Sequence, residues 1–253
     1  MVIAIFIAYN AARTLESFYR DFPRHLVDKI ILVDDASSDG TFALATSLGI
    51  EAYQNPGNLG YGGNVKKAVA LGLAQGGDVF IDIHPDGEYR PSAIPAALQQ
   101  VAEGAEFVLG NRFAGSDTPL QRGMYLWKFA PLRVLNALHR LLLGADIRDF
   151  HQGFRVYTRG LLQKVNFERN SNGYLFSFEL IAQAIFQKAR IAQVPVQTSY
   201  TGKKRGASLK SSVGYSIGTF KVVLLYGLAK LGLPVRLFQH PKAVRASESM
   251  QVL

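Results

Sequence analysis

The sequence predicts an α/β fold with a mostly parallel sheet flanked by helices, and three observations predict it. Short β-branched apolar runs alternate with helical patterns through the first half of the chain, which is the rhythm of βαβ units. Those runs are continuously apolar rather than alternating, as in strands covered on both faces. The chain has 253 residues, 48% of them hydrophobic, which suits one large domain, or a domain with an appendage, around a packed core.

The elements follow in order. VIAIFIA (2–8) reads as a first strand, followed by a helix near 12–22, the strand KIILVD (29–34), a helix near 40–48 and a short strand near 51–54. A helix at about 62–75, the strand DVFIDI (78–83), a helix at about 92–103 and the strand EFVLG (106–110) continue the pattern. The second half is less regular, with a helix around 124–143, strands near 154–158 and 191–197, a helix near 174–189, and a last helix or helices over 209–232. Ligands of such sheets sit beyond the strand C-termini, which directs attention to the loops after the first, second, fourth and fifth strands.

Composition narrows the function. There is no cysteine, so disulfides and thiolate metal sites are excluded. MVIAIFIAYN, without a basic leader or cleavage pattern, reads as a buried strand rather than a signal peptide, and nothing suggests secretion. The net charge is +9, and residues 201–245 carry nine basic residues (Lys203, Lys204, Arg205, Lys210, Lys221, Lys230, Arg236, Lys242, Arg245) with no acid. A nearly neutral body (1–200) with a basic, partly apolar tail (201–253) suits anionic lipid headgroups or phosphorylated ligands. No nucleic-acid-binding pattern accompanies the charge.

No stretch of about 20 residues is free of charge, so a membrane-spanning helix is not expected. Residues 124–144 and 216–238 place Leu, Phe, Trp and Tyr among spaced Lys and Arg. They read either as amphipathic helices packed on the sheet or as helices lying in a membrane interface.

Three clusters carry candidate chemistry. In VDDASSDGT (33–41), Asp34 and Asp35 project from a strand end, where acids hydrogen-bond a base or ribose; helix capping accounts for Ser38 or Asp39 but not for the doubled acid. NPGNLGYGGNVKKA (55–68) turns into a helix carrying Lys66 and Lys67, and reads either as a plain turn or as a phosphate-binding helix start that includes Gly60. DVFIDIHPDGEYRP (78–91) places His84, Asp86 and Glu88 at alternate positions, which in extended backbone project together. Two carboxylates and an imidazole hold a divalent ion bridging a diphosphate; the alternative is a solvated loop punctuated by Pro85 and Pro91.

The ordered set AYN (8–10), VDDASSDGT, NxGxGxN (58–64), an acidic loop ending in Tyr-x-Pro (89–91), GNR (110–112), DFHQGFR (149–155) and GASLKSS (206–212) resembles the family 2 glycosyltransferases. It is most similar to the dolichol-phosphate-mannose-synthase-like and other polyprenyl-phosphate members, over roughly residues 2–215. The resemblance implies a GT-A Rossmann-like domain binding a nucleotide sugar, UDP- or GDP-linked, with Mn2+ or Mg2+. It places Ala8, Tyr9, Asn10 and Asp35 around the base, with Asp34 beside them. It puts Asp86 in the metal loop, His84 where an Asp usually begins the motif, and Glu88 where Gln is frequent. It likewise assigns Arg112, Gln152 and Arg155 to the donor phosphates and acceptor, and Lys203, Lys204 and Arg205 to a basic loop closing on the phosphates. Two departures stand out: Ala11 and Ala12 follow Asn10 where Glu is common, and Ser177 replaces an Asp ahead of Glu179.

The implied reaction is inverting transfer, with an acceptor oxygen attacking the anomeric carbon opposite the departing nucleoside diphosphate. A lipid (polyprenyl) phosphate acceptor is already anionic and needs no base, whereas a hydroxyl acceptor needs a carboxylate, for which Glu179 and Asp149 are candidates. Glu179 reads equally as an ion-pair partner. The expected setting is the cytoplasmic face of a membrane, as a peripheral protein. Two other readings stand beside this one: a sugar-phosphate nucleotidyltransferase, whose Gly-rich N-terminal signature is absent, and a nucleotide- or glycan-binding module that has lost catalysis, for which His84 and Ser177 speak.

Overall fold

The structure is a computed structural model and describes residues 1–115, 119–200 and 209–239. Strands β1 (Val2–Ala8), β2 (Lys29–Asp34), β3 (Glu51–Gln54), β4 (Val79–Ile83), β5 (Phe107–Asn111), β6 (Arg155–Thr158) and β7 (Ile191–Pro195) form one sheet in the order β3-β2-β1-β4-β6-β5-β7. All neighbouring pairs are parallel except those made by β6, which runs antiparallel to both β4 and β5. The helices are α1 (Ala12–Asp21), α2 (Thr41–Ser47), α3 (Tyr61–Ala74), α4 (Ile94–Ala102), α5 (Leu126–Leu143), α6 (Arg159–Lys164), α7 (Phe176–Phe186) and α8 (Leu209–Lys230).

Both sheet faces are covered, which is why the strands lack alternation. In β1, Ile3, Ile5 and Ile7 point into a core shared with α3, α7 and α8, while Ala4, Phe6 and Ala8 point into one shared with α1, α2 and α4. Phe6 meets Phe18 and Phe22 edge-on at centroid distances of 5.2 and 5.0 Å. Full burial of a side chain of this size contributes about 1.5–3 kcal/mol.

The sequence missed α6, whose six residues are too few for a helical period; Thr158 Oγ1 caps it, accepting from the Leu161 amide at 3.2 Å. It overextended the last strand, which stops at Pro195, and the helix near 174–189, which ends at Phe186 before Lys188 takes a left-handed φ of 54°.

Helices α5 and α8 bury little of what is apolar in them. On α5 the buried positions include Asn136 and His139, while Leu126, Trp127, Val134, Leu138, Leu141 and Leu142 are exposed. On α8, Val222 and Tyr226 enter the core, and Val213, Ile217, Phe220 and Leu224 form an exposed stripe at helical spacing. Residues Ser212–Lys230 are long and apolar enough to cross a membrane, by length and composition alone, and 17% of that stretch is buried. The charge-based expectation of no such helix is corrected on this point, because Lys221 and Lys230 interrupt the stretch without lowering its mean hydropathy below the spanning range.

Candidate active site

The C-terminal ends of β1, β2, β4 and β5 and the start of β6 meet at one rim. At β2, Asp34 and Asp35 are both buried and engaged by protein. Asp34 accepts from the Gln54 side chain at 2.9 Å and from the Ser37 amide and hydroxyl; Asp35 accepts from Asn55 Nδ2 and the Leu59 amide, each at 2.8 Å, and from the Gly60 amide at 3.0 Å. These acids shape the rim, as buried charges must when water is excluded. Asn10, at a left-handed φ of 51°, ties the neighbouring loop to it: its amide donates to Ser37 Oγ, and its Oδ1 accepts from the Ser38 amide. Tyr9 stands exposed at the lip next to Ala8.

The Gly-rich turn packs against residues 171–173 so closely that a Cβ on Gly62 would lie 2.3 Å from the Ser171 carbonyl oxygen. The amides of Gly62 and Gly63 donate to the Asn172 carbonyl. Lys66 binds the Asn170 carbonyl and Asn172 Oδ1, and burial pulls its pKa down. These donors, assigned to phosphate from the sequence, therefore hold the segment before α7 in this structure. Gly60 has a φ of 79°, which favours glycine.

Among the described residues no three His, Asp or Glu side chains converge as metal ligands. The alternation assumed for His84, Asp86 and Glu88 fails because Gly87 turns the chain at φ 81°, and His84 instead aims Nε2 at Asp82, 3.8 Å away. Asp86 is exposed, with Oδ1 accepting from the Glu88 amide at 2.9 Å. Glu88 is half-buried, and burial together with the nearby Asp86 charge pushes its pKa up to about 7. Two adjacent carboxylates fit Mg2+ or Mn2+, which take one or two protein carboxylates and complete their shell with phosphate and water.

At the end of β5, Arg112 grips Asp149 bidentately, Nε to Oδ2 at 2.7 Å and Nη2 to Oδ1 at 2.9 Å. It also donates to the His151 carbonyl and the Tyr200 hydroxyl. Burial raises the Asp149 pKa, but the Arg112 charge and hydrogen bonds outweigh it and hold the carboxyl below its usual range. Asp149 is consequently committed to Arg112 rather than free to take a proton. Glu179 is likewise engaged: Oε2 accepts from the Ser171 amide at 2.6 Å, and burial raises its pKa.

Arg155 opens β6, and because that strand runs backwards its first residue lies at the rim. Its Nη1 donates to the Tyr61 hydroxyl at 2.8 Å and lies 3.5 Å from Asp82 Oδ2, while Nη2 donates to the Gln152 carbonyl. Tyr61 also accepts from Ser177 Oγ at 3.3 Å, the residue that stands where an acid was expected. Gln152 is buried, with Oε1 accepting from the Phe154 amide. Gly153 lets Tyr89 approach: a Cβ there would lie 2.7 Å from the ring. Lys203, Lys204 and Arg205 lie outside the described residues.

Sequence reasoning missed Asp82, Tyr61 and the pair His139 and His151. Asp82 had a signal, as the charged residue in the apolar run VFIDI. His139 Nδ1 and His151 Nε2 are 3.2 Å apart, and His151 Nδ1 meets the Tyr215 hydroxyl at 3.0 Å, so one imidazole joins the Arg112 cluster to α5 and α8. Burial pulls the His139 pKa down to about 4; burial and then the His139 charge pull His151 down to about 3. Both are neutral when folded, whereas the unfolded chain protonates them near 6.5. The unfolded state then binds more protons between these values, so stability is full above pH 6.5 and falls as pH drops toward 4. Thermal melts should lose roughly 5–10 °C between pH 7 and pH 4.5, with a shallower slope in His139→Leu; an unchanged slope would refute the assignment.

A mostly parallel sheet with an inserted reversed strand, a doubled acid at the end of β2, an acidic loop after β4 and two arginines at the far rim match the arrangement expected of a GT-A glycosyltransferase. The family model for glycosyl transferase family 2 matches residues 4–165, and the chain belongs to that family. Similar curated proteins include the polyprenol monophosphomannose synthase of Mycolicibacterium smegmatis, 29% identical over 201 residues, covering 76% of this chain and 74% of the relative. The UDP-N-acetylglucosamine--dolichyl-phosphate N-acetylglucosaminyltransferase of Methanococcus voltae is 25% identical, covering 86% and 93%. The undecaprenyl-phosphate mannosyltransferase of Micrococcus luteus is 28% identical, covering 79% and 82%. Among solved structures, glucosyl-3-phosphoglycerate synthase from Mycobacterium tuberculosis, crystallised with UDP, shares the fold at TM-score 0.66 and 22% identity, covering 92% of this chain and 81% of that one.

Proposed function

We propose that this glycosyltransferase moves a sugar from a nucleoside-diphosphate sugar to a polyprenyl phosphate, with inversion, at the cytoplasmic face of a membrane. The observation that carries the reading is an arginine-lined rim joined through His151 to two helices that turn their apolar residues outward. A helix that buries Asn136 and His139 while exposing Leu138, Leu141 and Leu142 is built to face an apolar medium. Lys128, Arg133, Arg140, Lys221 and Lys230 lie on the same two helices and suit anionic headgroups. The named relatives that act on polyprenyl, dolichyl and undecaprenyl phosphates point the same way.

Tyr9, Asn10 and the loop shaped by Asp34 and Asp35 receive the nucleotide in this reading. A divalent ion, when bound, neutralises charge on the diphosphate, and Asp86 and Glu88 hold it. Arg155 and Gln152 face the leaving group and the attacking phosphate, and the segment with Lys203, Lys204 and Arg205 adds positive charge. An anionic phosphate attacks without a general base, in keeping with the engagement of Asp149 by Arg112 and of Glu179 by Ser171.

Purified protein should release nucleoside diphosphate from UDP- or GDP-sugars with Mn2+ or Mg2+ faster when polyprenyl phosphate is present; release indifferent to the lipid would move the acceptor to a hydroxyl. A Leu141→Glu, Leu224→Glu double variant should bind anionic vesicles at least tenfold more weakly with an unchanged melting temperature, since each buried leucine contributes about 1.5–3 kcal/mol. Equal vesicle binding by the variant would rule out this face as the docking surface.

A further inference from the structure

Asp82 is the residue of β4 that sequence pattern least explains, and the site as described gives it no task. It is 1% exposed, and neither carboxylate oxygen has a hydrogen-bond partner. His84 Nε2, 3.8 Å away, is also buried and unpartnered. Arg155, opposite Asp82 in the antiparallel β4–β6 ladder, brings Nη1 to 3.5 Å. Tyr61 closes the group: its ring stacks on His84 at 5.3 Å with planes 18° apart, and its hydroxyl accepts from Arg155.

An unpaired buried carboxylate is expensive, so its two neighbours must supply hydrogen bonds and charge. Both distances are a few tenths of an ångström beyond a hydrogen bond. We propose that Asp82 is a positioning residue that accepts from His84 Nε2–H with one oxygen and from Arg155 with the other, thereby fixing the metal-loop imidazole and the rim guanidinium relative to each other. The acid expected at position 84 then stands two residues back on the same strand face, beneath the imidazole. A carboxylate that orients a histidine in this way selects its tautomer.

This inference rests on the glycosyl-transfer reading for its kinetic consequences, but its first test does not. In the 15N spectrum of imidazole-labelled protein, with His84 assigned by its loss in His84→Gln, wild-type His84 should be the Nε2–H tautomer with a slowly exchanging proton. In Asp82→Ala that proton should exchange fast and the tautomers mix. A wild-type Nδ1–H tautomer overturns the proposal even if the variant fails to fold, and so does a spectrum unchanged by Asp82→Ala. In turnover assays, Asp82→Asn should lower kcat about 10–100-fold with donor KM nearly unchanged, and Asp82→Asn with His84→Gln should be no worse than the poorer single variant. Additive losses overturn it. Wild-type protein that turns over no donor would overturn the glycosyl-transfer reading instead, with the tautomer still deciding the role of Asp82.

Discussion

Asp149→Ala is expected to destabilise the protein by about 3–5 kcal/mol, because it leaves a fully buried guanidinium without its counter-ion. Asp149 is 0% and Arg112 5% exposed, and the carboxylate takes three hydrogen bonds from Arg112, two from the fork and one from the backbone amide. The loss should lower the melting temperature by roughly 6–20 °C. A compensating change makes the cause identifiable: Arg112→Leu with Asp149→Leu should be more stable than Asp149→Ala, since it leaves no unpaired charge. Melting curves of the three proteins decide it, and a single variant within about 1 kcal/mol of wild type would show that water reaches the pair.

Asp86→Ala should do the opposite, leaving stability intact and removing turnover. The side chain is exposed and accepts a hydrogen bond from the Glu88 amide, so the melting temperature should move by less than about 0.5 kcal/mol would cause. On the proposed reading, in which Asp86 would help hold a divalent ion on the departing diphosphate, its loss should cost on the order of 10³-fold in kcat. Donor turnover with Mn2+ and polyprenyl phosphate measures it, and retention of a tenth or more of the wild-type rate would remove Asp86 from the metal loop. The two variants separate what holds the rim together from what the rim does.

The sheet was legible because β1, β2, β4 and β5 are continuous apolar runs, and burial on two faces leaves that trace in any chain. Asp34, Asp35 and Asp86 were legible because a strand reveals where its rim must be, whereas Arg112 and Arg155 came from the family resemblance alone, since nothing local shows that β6 runs backwards. Their partners were not legible. Nothing local relates Lys66 to Asn172, or His139 to His151, since each pairing is made by tertiary packing between separate elements. The alternation drawn through His84, Asp86 and Glu88 failed for a local reason, the positive φ at Gly87. The leucines of α5 and α8 were read as ambiguous because composition does not reveal which face of a helix the fold leaves uncovered.

The reversed strand has a consequence for how the rim tolerates change. Arg155 is register-paired with Asp82 on one side and Leu109 on the other, so two ladders fix its height and side at once. Loops at a sheet edge lengthen and shorten with little penalty, yet a single inserted or deleted residue inside β6 swaps the faces of Arg155 and Val156. The guanidinium would then enter the apolar layer that holds Val108 and Phe154, and a valine would stand where Arg155 now meets Tyr61 and Asp82. Insertions and deletions should therefore be tolerated in the connections around the strand and not within it, since the strand itself sets the gauge against which they are placed.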